Sequence, residues 1–186
     1  MNKAILSLKI DKENSGKTIG IICKHVLGIS TGVLRELKKS EKLLLNGKVC
    51  RTIDAVRIGD ELTADVSENE RSEDIKPIDH KLDILYDDSF LTVVNKPRKM
   101  SVHPSQGNRE NTLANGIIHY WNSKGETHKF HAVNRIVKDT SGICVIAKNR
   151  FAHAALQSDC GGFTKKYIAK INPKTFPMNV QNISSL

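Results

Sequence analysis

The sequence predicts an α+β protein in two parts, and three observations carry that reading. Short apolar runs of strand length, set off by Gly, Asn and Asp turn residues, outnumber the helical patterns. Helical spacing nevertheless occurs twice in each half. A polar stretch at 67–81, rich in Glu, Ser and Asp with a lone Pro77, separates the halves. The expected division is a small domain over 1–68, a linker over 69–81 and a second domain over 82–186, the last built on a mixed, mainly antiparallel sheet. The linker is expected to be exposed and to let the first part search while tethered to the second.

Each element has a local reason. Ile19, Ile22, Cys23, Val26 and Leu27 recur at helical spacing, and Gly28 can end that helix. Thr31 is a suitable N-cap for a second helix through Val33, Leu34 and Leu37. Its other face carries Arg35, Lys38 and Lys39. Residues 42–45 read as a strand, Asn46-Gly47 as a hairpin turn that tolerates positive φ, and 48–50 as the return. Gly59-Asp60 turns the chain into an alternating strand with Leu62, Ala64 and Val66.

The second half opens with strands at 84–86 and 90–94, separated by an Asp87-Asp88 turn. Pro97 ends the second of them, because proline cannot donate to a central ladder. Thr112 caps a helix whose Leu113, Ile117 and Trp121 share a face. A polar, basic loop from Asn134 to Gly142 feeds a buried strand at 143–147. Asn149 caps a further helix with Phe151, Ala154, Ala155 and Leu156, and 163–171 reads as a last strand.

Composition narrows the class. Over 186 residues, 39% hydrophobic and 26% charged content describe a soluble globular protein. No apolar run approaches the roughly 20 residues that span a bilayer. Residues 1–11 lack a signal-peptide core, and four cysteines (Cys23, Cys50, Cys144 and Cys160) are scattered without metal-type spacing. The expectation is a cytoplasmic protein with reduced thiols, no bound metal and no membrane association. A formal net charge of +9 favours a polyanionic partner through counterion release, without choosing among RNA, DNA and acidic lipid. Oligomeric state is not read from these features.

The stretch His131-Ala-Val-Asn-Arg-Ile-Val-Lys-Asp-Thr-Ser-Gly142 resembles the signature loop of the RluA class of RNA pseudouridine synthases. That signature is a histidine or asparagine, then Arg-Leu-Asp, a short spacer and Thr-Ser-Gly. Arg135, Thr140, Ser141 and Gly142 match, and Ile136 stands in for the leucine. The run from Ile84 to Pro97, then Val102-His-Pro-Ser105, is similar to the opening motif of the same class. Thr112-Leu-Ala-Asn115, Ala152-His153 and Lys166-Tyr167-Ile-Ala169 fit as well, so the likeness runs from 83 to about 170. In the first half, the two helices, Leu45, Asn46, Gly47, Gly59 and Asp60 resemble the alpha-L RNA-binding module, named after a small-subunit ribosomal protein. Thr18-Ile19-Gly20 departs from that module's usual Arg-Leu-Asp start.

The resemblance implies isomerisation of uridine in ribosomal or transfer RNA, without metal or organic cofactor. A flipped-out base would be read in a pocket, detached and rejoined through carbon. Arg135 would hold the flipped strand or pair with the catalytic carboxylate, and Tyr167 would stack on the uracil. Lys96 and His103 would form the first wall of the site. Arg35, Lys38, Lys39, Lys48 and Arg51 would meet RNA phosphates. The class's catalytic aspartate falls on Val137, which has no lone pair and no ionisable group and can act neither as nucleophile nor as base. Asp139 lies two residues on, and a shift of about 1 Å already costs on the order of a hundredfold in rate. Lys99 stands where the class usually has glycine, and the class's later His-Gln-Ile-Arg motif is absent. The expectation is a truncated, inactive or nearly inactive member in which Val137 merely packs. The alternatives are a non-catalytic RNA-binding protein and a degenerate gene product.

Overall fold

The structure, a computed structural model, describes residues 3–68, 72, 74–157 and 164–169. The first sheet contains β1 (Ile5–Lys9), β2 (Leu43–Leu45), β3 (Lys48–Val49) and β4 (Glu61–Asp65), in the order β1-β4-β2-β3. Two helices, α1 (Ile19–His25) and α2 (Thr31–Lys39), pack on it. Ile19, Ile22 and Cys23 of α1 meet Leu34 and Leu37 of α2 over Leu43, Leu62 and Ala64 in one apolar core. The β2–β3 turn is made by Asn46 and Gly47 at φ 51° and 75°, as their shared tolerance of positive φ requires. The Asn46 side chain then ties this turn to the next. Its Nδ2 donates to Asp60 Oδ1 at 2.8 Å, and its Oδ1 accepts from the Glu61 amide at 2.8 Å.

Two local expectations change here. Thr31 is the first residue of α2, and Ser30 is its N-cap, with Oγ accepting from the Val33 amide at 3.4 Å. Ser30 has the extended backbone that lays a hydroxyl over the first turn. Strand β1 was not expected at all. Its signal is the alternation of Ala4, Leu6, Leu8 and Ile10, all of which turn toward the first core.

The second sheet holds β5 (Asp83–Asp87), β6 (Leu91–Lys96), β7 (His131–Ala132) and β8 (Gly142–Ala147), in the order β5-β6-β8-β7. Every ladder between named strands in both sheets is antiparallel. On one face, α3 (Leu113–Ser123) buries Leu113, Ile117 and Trp121 against Val94, Cys144 and Ile146. Thr112 starts that helix in a capping box with Asn115. On the other face, Ala152 of α4 (Arg150–Gln157) joins Val133, Val145 and Ala147 in a smaller cluster. Asn149 caps α4 by accepting from the Ala152 amide at 2.8 Å. No helix among the described residues is long and apolar enough to cross a membrane.

The two sheets meet along a polar and aromatic seam. Phe90 and Phe151 lie edge to face at 6.4 Å, and both also pack on the first core. The Glu68 carboxylate contacts His131 Nε2 at 3.1 Å and accepts from the Arg150 amide at 2.9 Å. Burial raises the Glu68 pKa, but the bonds from His131 and Arg150 outweigh it and leave the group below its ordinary value.

Where the connecting stretch is described, at 72 and 74–81, it is largely exposed as its polar composition suggested, but it is docked and not a free tether. Ile75 is buried in the second core. Ser72 Oγ accepts from the Phe130 amide at 2.9 Å, and Asn115 Nδ2 donates to the Lys76 carbonyl at 2.8 Å. One apolar side chain and a few backbone partners suffice to dock a segment that carries no periodicity of its own. The expected strand over 163–171 is likewise not formed where it is described. Residues 164–169 are irregular and exposed. A strand exists only through its ladder, and these residues pair with no strand of either sheet among the described residues. Residues 163, 170 and 171 lie outside the described part.

Candidate functional site

The loop from Asn134 to Gly142 is held at its base, its middle and its end. At the base, buried Asn134 bridges to β8: Nδ2 donates to the Ile143 carbonyl at 2.9 Å, and Oδ1 accepts from the Val145 amide at 2.8 Å. The side chain thus replaces a ladder partner and closes the loop on its own strand. At the end, Gly142 has φ 138°, a backbone that a side chain would strain, and pairs with Lys96 of β6. Within the loop the Thr140 amide donates to the Val137 carbonyl at 3.0 Å.

The middle is held by basic side chains from the end of β6 and the turn after it. Lys96 is fully buried, and its Nζ donates to the carbonyls of Pro97 at 2.9 Å, Met100 at 2.7 Å and Lys138 at 3.3 Å. Burial lowers its pKa, against the opposing influence of Cys144 and Asp139. The neighbouring Cys144 thiol is pushed up to about 11 by its own burial. Arg98 Nε donates to the Asp139 carbonyl at 3.0 Å. The turn itself needs a left-handed residue, and Lys99 supplies it at φ 64°.

Against this frame the expected site residues divide. Lys96, expected to contact RNA, has no path to solvent, and its three protons are spent on carbonyls. Val137, expected to pack, is 74% exposed. It belongs to neither apolar cluster of the second sheet. Arg135 is exposed on the same loop. His103 is exposed and sets its ring edge to face against Phe130 at 5.6 Å. With Arg109, Ser105 and Gln106 it lines an open cavity beside Asp74 and Ile75. Tyr167 is 63% exposed in the irregular stretch. In the first part of the chain, Arg35, Lys38 and Lys39 on α2, Lys48 on β3, and Arg51 after it are all exposed. Arg51 is already bound to Asp54 at 3.0 Å, which holds that carboxyl below its ordinary value. Asn134 and Arg98 were not singled out from the sequence. Arg98 stands beside a proline turn, but its partner lies 41 residues away.

A second polar cluster sits at the opposite end of β6 and β8. Lys148 Nζ lies 3.0 Å from Asp87 Oδ1 and 2.7 Å from Glu126 Oε2. Lys124 also contacts Asp87, and His128 Nε2 is 3.2 Å from Glu126. Thr92 Oγ1 donates to Asp87 at 2.7 Å and accepts from Trp121 Nε1 at 2.9 Å. Burial raises Asp87 and Glu126, and the lysines more than reverse it, so both sit below their ordinary values. These bonds join β5, β6 and α3 to the segments that follow α3 and β8, and leave little of the carboxylates exposed, so the cluster braces the sheet.

Residues 91–185 match the model of a family described as RNA pseudouridylate synthase. The chain belongs to this family. It is 33% identical over 81% of its length to the uncharacterized RNA pseudouridine synthase YhcT of Bacillus subtilis, covering 50% of that protein. A second Bacillus subtilis protein, the uncharacterized RNA pseudouridine synthase YjbO, is 35% identical over 78% of this chain and 52% of its own. Ribosomal large subunit pseudouridine synthase D of Escherichia coli K12 is 36% identical over 62% of this chain and 35% of its own. These likenesses put the chain in the RluA class of the family. The chain spans about half, or less, of the length of these relatives.

Proposed function

We propose that this chain is an RNA-binding member of the RluA class that does not isomerise uridine as it stands. The observation that carries this reading is Val137, an aliphatic side chain 74% exposed at the place of the class's catalytic aspartate. Isomerisation needs a group that attacks the nucleoside or takes a proton, and valine does neither. Asp139 is a poor substitute. It lies inside the turn that the Thr140 amide closes on the Val137 carbonyl, not at position 137 itself, and Arg98 ties down its carbonyl at 3.0 Å.

Several features support RNA as the partner, ribosomal or transfer RNA by class and therefore in the cytoplasm. The net charge is +9. Two helices packed on an antiparallel sheet, with an Asn46-Gly47 hairpin, fit the alpha-L reading of the first part. There Arg35, Lys38, Lys39 and Lys48 are exposed for phosphate contact, with Arg51 shared with Asp54. In the second part Arg135 meets the RNA strand, His103 lines the neighbouring wall, and exposed Tyr167 is free to stack on a base.

The test is pseudouridine formation in unmodified ribosomal and transfer RNA, measured beside RNA affinity at several salt concentrations. The unaltered chain should form no pseudouridine and should bind with an affinity that falls steeply as salt rises. Activity gained by Val137→Asp would show that the remaining frame is competent. Pseudouridine from the unaltered chain would overturn the assignment of Val137, and an affinity indifferent to salt would overturn the RNA reading.

A further inference from the structure

Lys96 and Arg98 flank one proline, yet they reach consecutive carbonyls, those of Lys138 and Asp139, 42 and 41 residues away. We propose that these two side chains are positioning residues, which clamp the loop backbone so that position 137 is held where the class performs its chemistry. The proposal rests on the functional reading of the loop given above.

The argument begins with what Lys96 lacks. Its ammonium is fully buried, and its hydrogen-bond partners are three carbonyls and no carboxylate. An uncompensated buried charge is costly, and an apolar side chain of similar volume would avoid that cost. What the apolar replacement loses is geometry: a single Nζ gathers carbonyls from two segments and fixes their separation. The turn is shaped for this. Lys99 at φ 64° bends the chain back, so that the Met100 carbonyl faces the same ammonium as Pro97. Arg98, exposed on the outside of the turn, takes the next carbonyl of the loop. Asn134 fixes the loop's base, and the Thr140 amide closes on the Val137 carbonyl. Residue 137 therefore has a pin before it, a closure across it and two clamped carbonyls directly after it. Its backbone is defined while its side chain stays open to solvent.

The competing account is a lysine kept for stability alone, with Arg98 an incidental surface bond. Hydrogen exchange on the full chain separates the two. Arg98→Ala removes one exposed bond and should leave the fold intact. It should speed exchange of the hydrogen-bonded loop amides, foremost that of Thr140 on the Val137 carbonyl, by roughly tenfold, the weight of one hydrogen bond, while α3 stays unchanged. Arg98→Lys should restore part of the protection. Lys96→Met should open the same amides further, and if it does not fold, Arg98→Ala carries the test. Loop exchange unchanged in folded Arg98→Ala would overturn the proposal. A second readout uses the Val137→Asp background, where Arg98→Ala should lower kcat with KM for RNA unchanged. A raised KM at unchanged kcat would make Arg98 an RNA contact instead and overturn the positioning role. If Val137→Asp is silent, the functional reading of the frame fails, while the exchange result still decides whether the clamp exists.

Discussion

Two lysines stand at opposite ends of the β6–β8 ladder, and both are almost without solvent. Lys96 pairs with Gly142 at the loop end, while Lys148 follows Ala147 at the other. Lys148 is met by two carboxylates, from Asp87 and Glu126. Lys96 is met by three carbonyls. Carboxylates cancel a buried charge, whereas carbonyl dipoles only solvate it, so burial leaves Lys96 with a lowered pKa. One end of the sheet is thus closed electrostatically and is built for stability. The other accepts an uncompensated charge in return for a fixed loop, the kind of local conflict that accompanies functional sites.

The sharpest way to break this comparison is to remove the paired lysine. Lys148→Met would leave Asp87 and Glu126 buried without their shared cation and should cost roughly 3–5 kcal/mol in denaturant unfolding. A loss below about 1 kcal/mol would mean the network behaves like a surface pair, with Lys124 taking over both carboxylates. Acid tests the same network without mutation. Asp87, Glu126 and Glu68 have folded pKa values below their ordinary ones, 3.8 for the first and 4.5 for the other two. Their stabilisation is fully present above those ordinary values and is lost as pH falls through the lower folded ones. His128 is also lowered from 6.5, chiefly by burial, so its loss begins earlier, as pH falls below that value. Unfolding midpoints should therefore decline from about pH 6.5 downward and most steeply below about pH 4. Asp87→Asn should flatten the lower part of that decline, and an unchanged slope would remove Asp87 from the cause.

Lys96→Met should cost less, about 1–3 kcal/mol, because it strands carbonyls but also abolishes a desolvated charge. Equal or greater loss than in Lys148→Met would mean that the two lysines do the same work and the contrast between the ends is false.

How much of this was legible depends on the distance over which each partner lies. Asn46-Gly47, Thr112 and Asn149 act within a few residues, and the sequence rules for turns and caps found them, though not the Asn115 side chain that completes the Thr112 cap. Strand β1 was equally legible through Ala4, Leu6, Leu8 and Ile10, and the alternation went unread. The loop's ends were visible, because Gly142 follows a polar run and opens an apolar one. Its clamp was not. A lysine at the end of a strand reads as a surface charge, and nothing local says that Lys138 will offer it a carbonyl from 42 residues away. The same applies to Glu68, whose partners His131 and Arg150 lie 63 and 82 residues on. Polar composition made 67–81 look like a tether, because one buried Ile75 and scattered backbone bonds leave no periodic trace.

The smallest effect tests the loop end most directly. Lys99 is exposed and sits at φ 64°, where the class usually carries glycine. An L-residue pays about 1–2 kcal/mol for that conformation, and glycine gives back part of the gain through its freer unfolded chain. Lys99→Gly should therefore stabilise the protein by roughly 0.5–1 kcal/mol and leave loop exchange unaltered. Lys99→Ala keeps the strain and should be close to neutral. If Lys99 also touches an RNA phosphate, both variants should reduce the salt dependence of binding by about one unit of slope. A destabilised Lys99→Gly would mean that the lysine side chain holds the turn, and the strain would then be serving a contact of its own. A stabilised one would mean that the turn beside Lys96 keeps its strained shape for the position of the carbonyls it presents.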